Sequence, residues 1–147
     1  MPDSWRERAL TEIASIKPKW SERHNWRPVV QQPEPDGDGN VAYVDLFVRF
    51  TGKKTGDKSF MLRLRYEPKY ETEGRREAFV NPEKPTVEGP QFWPVSISGI
   101  NPTHAPPTIC LEGTWGFHSI HHKERPGRVA NLNKLLQEIQ RCLDGKV

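Results

Sequence analysis

Ala42-Tyr43-Val44-Asp45-Leu46-Phe47-Val48-Arg49-Phe50 sets an apolar side chain at every second position, and Phe60-Met61-Leu62-Arg63-Leu64-Arg65-Tyr66 repeats the period. Side chains alternate across a strand, so Ala42, Val44, Leu46, Val48 and Phe50 share one face, as do Phe60, Leu62, Leu64 and Tyr66. Arg63 and Arg65 face the other way. The polar, Gly-containing stretch Thr51 to Asp57 joins the two as a hairpin loop. On the N-terminal side Trp26 to Gln31 reads as a short strand, ended by the turn Asp36-Gly37-Asp38-Gly39. On the C-terminal side Glu77 to Val80 reads as another. These segments predict an antiparallel meander of three to four strands with one covered face.

Each end of the chain carries a helical period. Ser4-Trp5-Arg6-Glu7 has the form of a capping box, and Trp5, Ala9, Leu10 and Ile13 then recur at helical spacing until Pro18. This predicts a helix over about 4–16, with Arg6, Arg8 and Glu12 on its outer face. Val129, Leu132, Leu135, Leu136, Ile139, Cys142 and Leu143 line one side of a helix over about 130–144. Asn131 or Ala130 stands near its start and Gly145 just past its end. Between Pro68 and Thr108 eight prolines fall and no long period survives. A connection of that length inside a small domain is commonly functional, and Phe92-Trp93-Pro94-Val95 and Ile97-Ser98-Gly99-Ile100 predict that it is packed down. The expected plan is α+β: an N-terminal helix, a meander, a long Pro-rich active-site loop and a C-terminal helix.

The 147 residues suit a single domain spanning 1–147. No apolar run approaches a membrane span, and Met1-Pro2-Asp3-Ser4-Trp5 lacks an apolar signal core, so a cytoplasmic protein is expected. A net charge of +3 is common among ordinary domains and gives no ground for a nucleic-acid partner. Two cysteines fit reduced thiols better than a disulfide framework.

Those cysteines differ in setting. Cys142 lies on the apolar side of the last helix, as a small buried hydrophobe would. Cys110 lies outside any strong period, in Pro106-Pro107-Thr108-Ile109-Cys110-Leu111-Glu112-Gly113, before His118, His121 and His122. Either it fills space under the prolines, or it is a nucleophile, which requires the thiolate. His118, His121 and His122 lack the paired ligand spacings of a zinc site, and no metal or other cofactor is expected. No hydrolase nucleophile signature surrounds Cys110, and Gly52-Lys53-Lys54-Thr55-Gly56 lacks P-loop spacing.

The element order, Pro82 and Pro85, then Thr108-Ile109-Cys110-Leu111-Glu112, Trp115 and a closing helix resemble the ubiquitin-conjugating enzymes. The form is divergent and similar to the bacterial ubiquitin-conjugating-like proteins found with antiviral defence systems. That resemblance implies a ubiquitin-conjugating-like fold and a transferase. Its Cys110 would accept the C-terminal acyl group of a ubiquitin-like modifier from an activating enzyme, as a thioester, and pass it to an amine on a target protein. The family usually carries His-Pro-Asn shortly before its cysteine, whereas this chain has Gly99-Ile100-Asn101-Pro102-Thr103-His104. Asn101 is then a candidate oxyanion donor or loop-fixing residue, His104 a substitute base or donor, and His118 a group able to fill the role from the other side. By the same resemblance Arg6 and Arg8 would meet the activating enzyme. The alternative is a catalytically inactive binding module of the same fold that recruits a partner protein.

Overall fold

The computed structural model describes residues 4–56, 58–123 and 131–146. Asp57, at the end of the expected hairpin loop, lies outside the described residues. So do Val129 and Ala130, at the expected start of the last helix.

The alternating stretches form β2 (Val44–Phe50) and β3 (Phe60–Tyr66), antiparallel with Leu46 opposite Leu64 and Val48 opposite Leu62. They lie within a five-stranded antiparallel meander whose order is the order of the chain. It begins with β1 (Val29–Gln31) and continues through β4 (Arg76–Asn81) to β5 (Lys84–Glu88). Val44, Leu46, Val48, Phe50, Phe60, Leu62, Leu64, Tyr66 and Phe79 are buried on one face, where the main core forms. The other face carries a small cluster of Phe47, Ala78 and Val80. Beside it the Arg65 guanidinium donates two hydrogen bonds, of 2.8 and 2.9 Å, to the Asp45 carboxylate.

Helices cover the core face from both ends. α1 (Trp5–Ala14) is capped by Ser4, whose hydroxyl accepts from the Glu7 amide at 3.2 Å, and buries Ala9 and Ile13. α4 (Leu132–Leu143) is capped by Asn131, which accepts from the Lys134 amide at 2.9 Å. It buries Leu132, Leu135, Leu136, Ile139, Cys142 and Leu143. Gly145 follows its end at φ +73, a left-handed conformation that suits glycine.

Four expectations need correction. Pro18 ends the first helical run but also opens a second helix, α2 (Pro18–His24), because a proline at the first helical position gives up an amide that has no partner there. The sheet has five strands, one more than the upper expectation. The stretch 68–108 is not one long loop. Besides β4, which is the strand expected at Glu77 to Val80, it contains the four-residue helix α3 (Tyr70–Glu73), β5, a 3₁₀ turn at Pro90–Phe92 and a two-stranded hairpin of β6 (Ile100–Asn101) and β7 (Thr108–Ile109). Last, Glu12 leaves the outer face of α1 and pairs with Arg75.

Candidate functional site

The β6–β7 hairpin places Cys110. Ile100 pairs with Ile109 and Asn101 with Thr108; both isoleucines are buried in the core and anchor the hairpin. One residue on, the Cys110 amide donates to the Gly99 carbonyl at 2.7 Å, which ends the pairing. The chain then turns through Leu111, Glu112 and Gly113 into a π-helical turn, Gly116–His121. Gly113 has φ +110, and a Cβ there would lie 2.9 Å from a terminal nitrogen of Arg75. Only glycine fits that bend.

Two buried charged residues frame this turn. Arg75, 1 % exposed, donates through Nη1 to the Gly113 carbonyl at 2.9 Å and through Nε to the Tyr66 hydroxyl at 3.1 Å. Its Nη2 is paired with Glu12. Its backbone amide also donates to Gly113, at 3.0 Å, while its carbonyl accepts from Trp115 at 2.7 Å. The Glu12 carboxylate in turn accepts from the Leu132 amide at 3.0 Å, at the start of α4. Thus α1, the cysteine turn and α4 meet on one guanidinium–carboxylate pair.

Glu77 is the second. It sits at an inward position of β4, beside Phe79 and opposite Leu64, and is 8 % exposed. Its carboxylate accepts from the Ile109 amide at 2.9 Å and from the Gly116 amide at 3.2 Å. Burial pushes this carboxyl up to about 7, and the backbone donors with the Thr114 hydroxyl only partly oppose that shift. The segment 109–116 is therefore held at both ends by one side chain. Thr114 braces its middle, its hydroxyl lying 2.5 Å from the Ile109 carbonyl and 3.1 Å from that of Leu111.

Within this frame Cys110 is half-buried, whereas Cys142 is 3 % exposed on the core side of α4. Burial, and then the nearby Glu77 carboxylate, push the Cys110 thiol up from its ordinary value.

The sequence-predicted residues fall in three places. Asn101 and His104 belong to the hairpin and Cys110 follows its last pair: Asn101 pairs with Thr108, and exposed His104 donates from Nδ1 to the Pro106 carbonyl at 2.9 Å. The His104 ring lies 4.9 Å from that of His121, whose Nε2 is 3.1 Å from the Thr108 hydroxyl. His118 belongs to the turn itself. Its Nε2 accepts from the Gly113 amide at 3.1 Å, so the proton of the neutral ring is on Nδ1. Arg6 and Arg8 are on α1. Arg6 donates to Gln32 at 2.7 Å, and Arg8 forms an exposed ion pair with Glu71 at 2.9 Å.

Sequence reasoning missed Arg75, Glu77 and Thr114. For Glu77 a signal existed, since a charged residue in phase with Phe79 stands on an apolar face. Next to the hairpin runs a groove of about 310 Å³ whose lining includes Trp93, Trp115, Pro106, Pro107, Arg63 and Arg76. The Arg76 guanidinium lies 4.4 Å above the Trp115 ring.

Among the described residues, no group of three or more His, Cys, Asp or Glu side chains is placed to hold a metal ion. No helix among them is long and apolar enough to cross a membrane. Comparison with protein-family models, with curated proteins and with solved structures finds no match for this chain.

Proposed function

We propose that this chain is a ubiquitin-conjugating-like transferase, in which Cys110 takes the C-terminal acyl group of a ubiquitin-like modifier from an activating enzyme. The thiolate attacks the incoming thioester carbonyl, a tetrahedral oxyanion forms and the donor thiolate leaves. An amine on the target protein then attacks the Cys110 thioester, loses a proton and releases the Cys110 thiolate. The observation that carries this reading is a half-buried cysteine, Cys110, on a braced turn between a hairpin and the π-helical turn. Its order of helix, meander, cysteine turn and closing helix supports a ubiquitin-conjugating-like fold. A strong thiolate is not needed, because exchange between two thioesters is close to isoenergetic and a minor thiolate population suffices. Asn101 and His104, on the same hairpin, are the candidates to donate to the oxyanion. Arg6 and Arg8, on α1, are the candidates to meet the activating enzyme.

The raised thiol favours a second reading, a catalytically inactive module of the same fold that recruits a partner protein. Incubation with an activating enzyme, ATP and a ubiquitin-like modifier separates the two. The transferase gives an adduct that reducing agent removes, that Cys110→Ala abolishes and that Cys142→Ala retains. An adduct that persists in Cys110→Ala, or modifier bound with no reducible adduct, rejects the transferase.

A further inference from the structure

We propose that Glu77 is the positioning residue of the Cys110 site: its buried carboxylate clamps both ends of the cysteine turn and, when ionised, sets negative charge beside the sulfur. Thiol reactivity then reports the protonation state of Glu77. The inference rests on Cys110 being the acceptor thiol, but its test needs neither modifier nor activating enzyme, so the two readings fail separately.

The geometry carries this assignment. Ile109, whose amide Glu77 holds at 2.9 Å, is bonded directly to Cys110, and Gly116, held at 3.2 Å, begins the π-helical turn on the far side. A Cβ at Gly116 would come within 2.5 Å of Glu77 Oε2, so the carboxylate and this backbone are in close contact. A buried side chain that spans a turn from one strand fixes where the sulfur stands. It is also charged, and a nearby like charge disfavours the thiolate.

The other groups around Glu77 do not take over this role. From β3 the residue opposite is Leu64, which is apolar. Arg75 is engaged by Tyr66, Gly113 and Glu12. Arg63 and Arg76 share the neighbouring groove but are paired with Glu88 and Glu67. From the hairpin side His121 reaches the area through Thr108. The influences on Glu77 itself are burial and its hydrogen-bond donors.

The test is the rate of iodoacetamide reaction at Cys110 between about pH 5.5 and 9.5, read by mass spectrometry of the Cys110 peptide in the folded protein. The native protein should show a two-step rise: Glu77 ionises near pH 7 and flattens the curve before the thiol itself titrates. Glu77→Gln keeps an acceptor but not the charge, and should give one simple step with its midpoint at lower pH. A single-proton curve in the native protein overturns the proposal, even if the variant does not fold. So does a folded Glu77→Gln whose midpoint is unchanged, because a purely structural brace would cost stability and leave the titration alone.

Discussion

Arg75→Met tests whether the cysteine turn depends on the buried guanidinium. The substitution keeps most of the side chain's volume and removes its donors to Tyr66, Gly113 and Glu12. Glu12, with a side chain 18 % exposed, would keep the Leu132 amide as a donor but lose its cation. Removing one member of a buried ion pair costs about 3–5 kcal/mol, mostly because the other charge is left without compensation. At about 2.1 cal/mol/K per residue, the whole chain has an unfolding entropy that turns this into a fall of about 10–16 °C in Tm. Urea unfolding followed by Trp fluorescence would give the free energy, and calorimetry the Tm. The companion Glu12→Leu should lose a similar amount. The double variant should lose clearly less than the sum, since no charge remains stranded. Single variants within about 1 kcal/mol of the native protein, or losses that simply add, would refute the claim that this pair ties α1, the turn and α4 together.

Gly74→Ala should be destabilised by at least about 2–3 kcal/mol in the same urea assay, because Gly74 has φ +89 and its Cβ would strike the Thr114 carbonyl; a neutral result would mean that this contact yields easily. Glu77 makes stability depend on pH with a definite sign. Its folded carboxyl lies at about 7 against an ordinary 4.5, so the folded protein keeps a proton that the unfolded chain has lost in that window. Its contribution therefore falls as pH rises from about 4.5 to 7, by about 3 kcal/mol in all, and is flat on either side. Urea unfolding of native protein and Glu77→Gln at several pH values should show the variant gaining relative stability across that window, and parallel profiles would refute it.

What could be read in advance follows from how far each signal reaches along the chain. β2 and β3 were legible because their alternation places eight apolar side chains on a single buried face, paired across one hairpin. β5 was not: Lys84-Pro85-Thr86-Val87-Glu88 is an exposed edge with little apolar content, where Pro85 is tolerated for lack of a further neighbour. α2 was hidden because a proline that stops one helix is equally fit to start another. Cys110 was legible as a residue outside every period. Its surroundings were not, since Glu77 reaches Ile109 and Gly116 from 32 and 39 positions away, and no local pattern encodes such a contact. Cys142 was legible for the opposite reason, being in phase with Ile139 and Leu135.

The environment of Cys110 discriminates among cysteine chemistries. A cysteine that must attack an unactivated amide or act as a redox sensor needs its thiol lowered by a cation, a helix N-terminus or a base. Here burial and a carboxylate both raise it. That is a handicap for those reactions, but much less for receiving an acyl group that arrives as a thioester. In the proposed transfer, the same raised value would become useful once the acyl group is on the sulfur. A thiolate of higher pKa is a poorer leaving group, so the ester resists adventitious attack. An ionised Glu77 nearby would also repel hydroxide. A neutral amine is not repelled in this way, and it is intrinsically the better nucleophile toward a thioester. A turn held at Ile109, Gly113 and Gly116 would meanwhile keep the sulfur in one place through both of the proposed transfers. An anionic clamp under a reluctant thiol thus fits the proposed acyl carrier better than it fits a peptide hydrolase.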